Sequence, residues 1–269
     1  MSESAGKRIN ASVYIICRDE AQAIGDCLAS VARFADIVVV DSGSTDGTLE
    51  IVHALIGKGL PVRLFERPWP GYAKQKQFAL ETCARRWCLN LDADERIDGE
   101  LAEAIADVVT SNDEPVAYQL TRREWLPGYG FVHPWAAQTR IVRLIDRDHA
   151  SYDSAQHVHE SPTYNGRCGR IVRGSIWHKP RLTIEQIVDK QNVYSTLKAR
   201  MSLEKGKSGR PWRMLTSPIG YFLKYFVLKR YFLCGWAGYA ISALHAQYAF
   251  QSAWKTWCSH PGEDPASRG

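Results

Sequence analysis

The N-terminal part of the chain alternates between short apolar runs and longer segments whose apolar residues recur at helical spacing. Continuous apolar strands that alternate with amphipathic helices are typical of βαβ units. We therefore predict an α/β fold with a mostly parallel, Rossmann-like sheet flanked by helices. The predicted strands are 11–17, 37–40, 61–65 and 87–91, and the predicted helices are 21–34, a segment after 47, 73–84 and 101–109.

This alternation is lost in the middle of the chain. Strand candidates there are 116–120, 140–145 and 170–177, separated by loops rich in Trp, His, Gly and Pro. Further on, Thr183 and Gln186 have the spacing of a capping box, which predicts that a helix begins just after Thr183. We predict an α/β domain over residues 8–180 and a helical C-terminal extension over residues 181–258.

Composition and charge place few further restrictions on the fold and the function. The chain has 269 residues, of which 45% are hydrophobic and 23% are charged, so a folded domain with a sizeable core is expected. The net charge of +5 suits an anionic ligand or an anionic surface. The seven cysteines form no CxxC pair, which indicates free thiols in a reducing compartment. The apolar run 13–17 is too short for a signal peptide, so we expect a cytoplasmic protein.

Polar clusters follow three of the predicted strands, at the point where each strand ends. They read RDE at 18–20, DSGSTD at 41–46 and DADE at 92–95. Acidic residues in such places are often only helix caps. However, ligands of an open parallel sheet bind beyond the carboxyl ends of its strands. Three clusters in order therefore predict a shared binding site.

The last of these clusters carries two carboxylates, Asp92 and Asp94, two residues apart. Both can reach one divalent ion, or one can reach the ion and the other a ribose. Mg²⁺ and Mn²⁺ prefer few carboxylates together with phosphate oxygens, and they stabilise a departing nucleoside diphosphate. The chain has no GxGxxG or GxxxxGK[ST] motif, which argues against dinucleotide and P-loop sites. We therefore expect Mg²⁺ or Mn²⁺ as the cofactor.

At these segments the chain resembles the family 2 inverting glycosyltransferases, which have the GT-A fold. Within that family it is similar to the lipopolysaccharide core β-1,4-glucosyltransferase branch. The resemblance covers nearly the whole chain and implies a GT-A catalytic domain acting on a nucleotide-sugar donor. The matching segments are IICRDE at 15–20, IVVVDSGSTDGT at 37–48, WPGYAKQ at 69–75, WCLNLDADER at 87–96 and VHE at 158–160.

The resemblance also implies roles for single residues. Asp41 would accept a hydrogen bond from the uracil imide, Asp92 would lie near the ribose, and Asp94 would hold the metal. His178, directly after a predicted strand, would approach the metal or the diphosphate, and a structural role is its alternative. The residues expected to contact the nucleotide-sugar are Arg18, Glu20, Asp41, Ser42, Lys74, Gln75 and Asp92.

An inverting transfer needs one carboxylate that deprotonates the acceptor hydroxyl as it attacks. Glu160 matches the family's position for this general base. A salt bridge in a loop is the structural alternative for Glu160, and Asp153 is the competing base.

The C-terminal extension has a basic and apolar character suited to an anionic membrane surface. Apolar residues at 219, 222, 223 and 226 lie beside Lys224, Lys229 and Arg230. The uncharged stretch 231–254 is long enough to span a bilayer, but its polar residues make spanning unfavourable. We expect a packed helical hairpin that touches the inner face of the cytoplasmic membrane. Packing of these aromatic residues on the sheet is the alternative.

The function expected from this pattern and this resemblance is transfer of a hexose to a lipid-linked saccharide such as the lipopolysaccharide inner core, with UDP-glucose as the expected donor. A metal-dependent nucleotidyltransferase is one alternative, but it would carry a Gly-rich loop where this chain has RDE at 18–20. A nucleic-acid-binding module is another, based on nine basic residues against one acidic residue in 198–230. No recognised binding motif accompanies those charges, so we expect no nucleic-acid partner.

Overall fold

The computed structural model of the protein describes residues 8–111, 115–153, 161–180, 183–206 and 209–259. The chain divides into two compact units. The first comprises Met1–Glu124 and Thr139–Lys179, and the second comprises Trp125–Gln138 and Pro180–Gly269. The second unit thus takes in a segment, Trp125–Gln138, that the sequence-based domain limits placed with the α/β domain.

The first unit opens with the predicted alternation of strands and helices. Three of its first four strands are buried almost throughout, and their sequences are correspondingly apolar, whereas the edge strand Val62–Glu66 is mostly exposed or half-buried. The strands are β1 (Ile9–Cys17), β2 (Phe34–Asp41), β3 (Val62–Glu66) and β4 (Trp87–Asp92). The helices are α1 (Ile24–Ser30), α2 (Thr48–Gly57), α3 (Tyr72–Thr82) and α4 (Gly99–Thr110).

The first helix is shorter than the apolar spacing predicts. It ends at Ser30, and β2 already begins at Phe34. Phe34 is fully buried and pairs with Ile9 at the start of β1, so the chain must turn before reaching it. Helical spacing continues through this turn because both the helix and the following strand bury apolar residues.

The later strands include two long ones, β6 (Ala117–Leu126) and β8 (Thr139–Asp146). The short strands are β5 (Glu95–Ile97), β7 (Gly130–Phe131), β9 (Ala150–Ser151), β10 (Thr163–Tyr164), β11 (Cys168–Arg170) and β12 (Ile176–His178). The main sheet has the order β3-β2-β1-β4-β8-β6-β12-β5, with β7 and β11 also paired to β6, whereas β9 and β10 form a separate two-stranded sheet. The four strands β3, β2, β1 and β4 are parallel, as predicted, whereas β8 runs antiparallel to both β4 and β6.

The strand predicted over 170–177 is in fact two strands, β11 and β12. The turn between them contains Gly174, which has a φ of +77°. A Cβ at this position would lie 2.1 Å from the backbone nitrogen of Leu101 in α4. The interruption therefore comes from a close approach to α4, which only glycine permits.

Both faces of the sheet are covered, as the pattern predicts. Along β1, Val13 and Ile15 face one apolar cluster, which α1, α2 and α4 complete. Tyr14 and Ile16 face the opposite cluster, which includes Leu80 of α3. Alternate residues of one strand thus enter two separate cores.

The second unit is helical and contains α5 (Ile184–Glu204), α6 (Arg213–Leu223) and α7 (Gly235–Cys258). The predicted capping box of Thr183 and Gln186 is present at the start of α5. A π-helical turn and a 3-10 turn connect α6 to α7, which packs against both α5 and α6. The segment Trp125–Gln138 belongs here because its Leu126, Val132 and Ala136 share an apolar cluster with Tyr231 and Cys234.

Two further expectations concern the helices and the cysteines. Within the described ranges, no helix combines the length and apolar character needed to cross a membrane. All seven cysteines are free, as predicted, and five of them are buried.

Candidate active site

The ends of β1, β2 and β4 bring the three polar clusters to one edge of the sheet. β1 lies between the other two strands, with Cys17 opposite Asp41 and Ile16 opposite Asp92. The residues that follow these strands therefore share one edge, as the sequence predicts. This arrangement places the first two clusters next to each other and the DADE cluster on the other side of β1.

The first two clusters are joined by hydrogen bonds between their loops. The backbone N–H of Asp19 donates to Ser44 Oγ at 2.8 Å, and Asp19 Oδ1 accepts from the N–H of Thr45 at 2.8 Å. The N–H of Glu20 donates to Thr48 Oγ1 at 2.8 Å. Asp19 adopts a φ of +56°, a left-handed conformation that this pairing holds in place. The two loops therefore form one interlocked unit.

Asp41 is fully buried at the end of β2. Its Oδ2 accepts from the backbone N–H groups of Gly43 and Ser44, both at 2.8 Å. The carboxylate thus shapes the turn that follows the strand. Its expected hydrogen bond to uracil remains a prediction.

The neighbouring Ser42 is also buried and links this turn to α3. Ser42 Oγ accepts from Gln75 Nε2 at 3.1 Å, and Gln75 is fully buried. Gln75 Oε1 has no hydrogen-bond partner among the described residues. Because buried polar atoms are usually paired, this oxygen is suited to accept a hydrogen bond from a ligand.

A buried ion cluster holds Asp92 at the end of β4. Arg143 Nη2 donates to Asp92 Oδ2 at 2.5 Å, and Lys76 Nζ lies 3.4 Å from Asp92 Oδ1. Lys76 is only 3% exposed and Arg143 is 7% exposed. Burial alone would raise the pKa of Asp92, but the charges of Arg143 and Lys76 hold that pKa well below its ordinary value. Asp92 is therefore a carboxylate at neutral pH.

The cluster continues from Arg143 through Glu95 to Glu124. Arg143 Nη2 also donates to Glu95 Oε1 at 2.9 Å, and Arg122 Nη1 reaches the same oxygen at 3.3 Å. Arg122 Nε donates in turn to Glu124 Oε1 at 2.7 Å. Burial raises the pKa of Glu95 even though Arg143 opposes the change. Acidic and basic side chains thus alternate beneath the strand ends.

The chain of charges ends at His178, which joins Glu124 to Asp94. His178 Nδ1 lies 2.6 Å from Glu124 Oε2, and His178 Nε2 lies 3.2 Å from Asp94 Oδ2. Short β12 makes this possible because it lies between β5 and β6, with His178 opposite both Glu95 and Glu124. Burial disfavours the charged imidazole, but hydrogen bonds to Asp94 and Glu124 raise the His178 pKa to about 10.

The pair of Asp94 and His178 fits a divalent ion as two ligands from the protein. A metal-binding histidine usually donates its other ring N–H to a carboxylate, and Glu124 occupies that position. Among the described residues, no group of three or more His, Cys, Asp and Glu side chains is arranged around a metal position. An ion held here would need diphosphate oxygens and water to complete its coordination, as Mg²⁺ commonly does.

The remaining predicted site residues lie in different environments. Arg18 is exposed, with its Nε 3.6 Å from Asp19, and Glu20 is half-buried. Lys74 is exposed on α3, whereas Lys76, two residues later, is buried against Asp92. Glu160 lies outside the described residues.

Sequence reasoning missed several members of the ion cluster. The sequence could have identified Arg143, because it is a single charged residue within the otherwise apolar strand IVRLI at 141–145. Glu95 follows Asp92-Ala93-Asp94 directly, so the sequence could also have identified it as a member of the cluster. Lys76 and Glu124 gave no signal, since only the fold brings these separate segments together.

Comparisons with known proteins identify the family of this chain. The model of the family described as Glycosyl transferase family 2 matches residues 12–167. The chain is 41% identical to the lipopolysaccharide core biosynthesis glycosyltransferase LpsC of Rhizobium meliloti (strain 1021), over 93% of this chain and 92% of that protein. It is 34% identical to a glycosyltransferase of Rickettsia typhi (strain ATCC VR-144 / Wilmington), over 87% of this chain and 82% of that protein.

A solved structure shows the same fold at low sequence identity. The mannosyltransferase PcManGT from Pyrobaculum calidifontis, in complex with GDP-Man and Mn²⁺, is 15% identical with a TM-score of 0.50, over 96% of this chain and 90% of that chain. The fold is that of the GT-A class, which confirms the predicted fold. More narrowly, the chain belongs to glycosyltransferase family 2. This membership favours the predicted glycosyltransferase over the nucleotidyltransferase alternative.

Proposed function

We propose that this enzyme transfers glucose from UDP-glucose, with inversion, to a lipid-linked saccharide of the lipopolysaccharide inner core. The observation that carries the proposal is the strand-end site in which Asp94 and His178 stand beside the buried Asp92 cluster. The name of the Rhizobium relative supports the choice of acceptor. Donor and acceptor identity are both part of the proposal.

The donor would bind along the interlocked loops and α3. Arg18, Glu20 and Asp41 would line the nucleoside pocket. Ser42 and Gln75 would contact the donor further along, and the unpartnered Oε1 of Gln75 would accept from a donor hydroxyl. Lys74 would reach the donor from the exposed side of α3. Lys76 and Arg143 would act indirectly by holding Asp92 in position near the ribose.

Asp94 and His178 would hold Mg²⁺ or Mn²⁺ at the diphosphate. When bound, this ion would supply positive charge to the departing UDP. Glu124 would orient the His178 ring through Nδ1, so that Nε2 faces the ion position. The Mn²⁺ present with PcManGT supports such an ion, as does the carboxylate-imidazole donor set.

Glu160 would act as the general base on the acceptor hydroxyl. Glu160→Gln is expected to lower kcat by about 10²–10⁴-fold, because a positioned base contributes that much to the transition state. The affinity for UDP-glucose should change little, since the base acts on the acceptor. Steady-state kinetics with calorimetry of donor binding would measure both effects. Asp153→Asn is the matched variant, and an inactive Asp153→Asn with an active Glu160→Gln would exchange the two roles.

The helical unit would place the enzyme at the inner face of the cytoplasmic membrane, where a lipid-linked acceptor is concentrated. An apolar stripe runs along α6, formed by the exposed side chains of Trp212, Leu215, Ile219 and Leu223. Phe222 and Phe226, also expected at the membrane, instead stack on each other at 5.3 Å and pack on Tyr239. The stripe and the exposed cations Lys224 and Arg230 support membrane contact.

Lys224→Gln combined with Arg230→Gln should weaken binding to anionic liposomes by roughly thirtyfold at low salt, because each basic residue near such a surface contributes about 1 kcal/mol. Lys229 is left unchanged because its Nζ lies over the Tyr225 ring, 4.4 Å from the centroid. Co-sedimentation across a salt series would measure partitioning. Lys190→Gln with Arg200→Gln, on exposed positions of α5, is the charge-matched control. Wild-type protein that stays in the supernatant at every salt concentration would contradict the proposal.

The donor assignment is tested with a panel of UDP- and ADP-sugars. We expect UDP-glucose to give the largest increase in melting temperature and the fastest hydrolysis, each dependent on Mn²⁺ or Mg²⁺. Equal or greater effects from an ADP-sugar would overturn the choice of nucleotide. A different UDP-sugar at the top of the panel would overturn only the choice of hexose.

A further inference from the structure

The helical unit contains a cavity of about 270 Å³ between α5, α6 and α7. Its walls include Lys198 of α5, Arg213 and Tyr221 of α6, and Arg210 from the connection between these helices. Since a water molecule occupies about 30 Å³ in the liquid, the cavity has room for a group the size of a phosphate and several waters. None of the strand-end residues described above lines it.

Among the described residues, every charged side chain that lines this cavity is positive. Three cations line it, and no acidic side chain from the described part of the chain does. The sequence contains no Asp or Glu anywhere between residues 205 and 259. In the described part of the chain, Lys198, Arg210 and Arg213 form no ion pair with a carboxylate. Their positive charge is therefore available to a ligand.

Lys198 is held in position by aromatic groups instead of by an acid. Its Nζ donates to the hydroxyl of Tyr221 at 2.9 Å and lies 5.0 Å and 4.9 Å from the ring centroids of Tyr221 and Tyr248. Ring faces stabilise an ammonium without neutralising it. Because the Tyr221 oxygen accepts from Lys198, its own O–H is directed elsewhere and can donate to a ligand.

Three other hydroxyl groups in the cavity wall already have acceptors within their own helices. Ser202, Ser252 and Thr256 each donate to a backbone carbonyl one helical turn earlier, at 2.8, 2.8 and 2.7 Å. The donors left to a ligand therefore belong to the cations, to Tyr221 and to the Ser217 hydroxyl. Such a donor set recognises oxyanions, and the guanidinium fork of arginine matches phosphate geometry.

We propose that this cavity binds a phosphate monoester group. Three uncompensated cations match the charge of about −1.5 to −2 that a phosphate monoester carries at pH 7, better than the single charge of a carboxylate or a diester. The phosphate could belong to a soluble phosphorylated saccharide or to a lipid headgroup. This inference goes beyond the proposed function and does not depend on it.

Calorimetry of the full chain with inorganic phosphate tests the binding site, at constant ionic strength and with saturating UDP to occupy the strand-end site. We expect saturable binding of one phosphate. Arg210→Gln combined with Arg213→Gln should weaken it by at least about tenfold, since the two guanidinium groups would donate charge-assisted hydrogen bonds to the phosphate. Both arginines are exposed, so the fold should be retained.

Lys190→Gln with Arg200→Gln removes the same charge from α5 without altering the cavity, and it should bind phosphate like the wild type. Lys198→Met, checked for unchanged helical circular dichroism, should also lose binding. Absence of saturable phosphate binding by the wild type would overturn the proposal. So would an equal loss in the control variant, since that result would indicate general charge attraction.

Vesicles distinguish the two sources of the phosphate. Wild-type protein should bind phosphatidylcholine vesicles containing phosphatidic acid, a monoester, more tightly than charge-matched vesicles containing phosphatidylglycerol, if the ligand is a lipid. The arginine variant should then lose this preference and inorganic phosphate should compete. Saturable phosphate binding without a vesicle preference supports a soluble phosphorylated ligand.

Discussion

Asp94→Asn should leave the protein folded and lower glycosyl transfer by at least about a hundredfold, even at saturating Mn²⁺, because metal ions contribute several kcal/mol to group transfer. The amide retains the size of the carboxylate but loses the charge that would hold the ion. Asp94 is partly exposed and lies at the end of the ion cluster, where its side chain contacts His178 and not Arg143, so stability should change little. Initial rates and circular dichroism would measure both outcomes.

Two further variants with smaller expected effects make the test of Asp94 more specific. Glu124→Gln should have a smaller effect, about 10–100-fold, because it alters only the group that orients His178. Asp107→Asn, an exposed acid paired with Arg173 at 2.7 Å, serves as the control and should keep normal activity. Near-normal turnover by Asp94→Asn at saturating Mn²⁺ or Mg²⁺ would show that the carboxylate holds no catalytic ion.

Arg143→Met should lower the free energy of unfolding by about 3–5 kcal/mol, since removing one partner from a buried ion cluster leaves uncompensated charges. Arg143 is the common partner of Asn90, Asp92 and Glu95. Its loss would leave the fully buried Glu95 with Arg122 alone as a cation. Methionine retains the apolar stem, so the change tests charge more than volume.

Urea unfolding followed by tryptophan fluorescence would measure this effect. Arg140→Met, at an exposed position of the same strand, is the matched control and should change stability by less than about 0.5 kcal/mol. If both variants unfold at the same urea concentration as the wild type, the Arg143 cluster contributes nothing to stability. Loss of UDP affinity in a fully stable Arg143→Met would instead show that Arg143 supports donor binding through Asp92 without stabilising the fold.

The first half of the fold was predictable because β1, β2 and β4 are buried on both faces and apolar residues recur at helical spacing between the strands. The errors arose where tertiary contacts overrode that pattern. Phe34 fits a helical repeat but pairs with Ile9 in the sheet. Gly174 interrupts an apolar run because α4 approaches its backbone. The segment Trp125–Gln138 gave no sign that it would pack with the C-terminal helices.

The candidate site was predictable where chemistry and strand ends coincide in sequence, as at Asp41, Asp92 and Asp94. His178 was identified only as a histidine after a strand, and its partner Glu124 depends on the pairing of β12 with β6. The choice between Lys74 and Lys76 depends on the rotation of α3, which a weakly amphipathic sequence does not fix. Residues far apart in sequence become neighbours only through the mixed half of the sheet.

The interlocked loops after β1 and β2 affect how much loop ordering would accompany ligand binding. Their conformation is maintained by Asp19, Ser44 and Thr48 through hydrogen bonds within the protein. Ordering of these loops is therefore completed during folding, and a nucleoside entering between them would lose little affinity to loop rearrangement. Substituting Ser44 or Thr48 would then weaken the affinity for a nucleoside because the loops would lose their preorganisation. Neither side chain needs to contact the ligand for this effect.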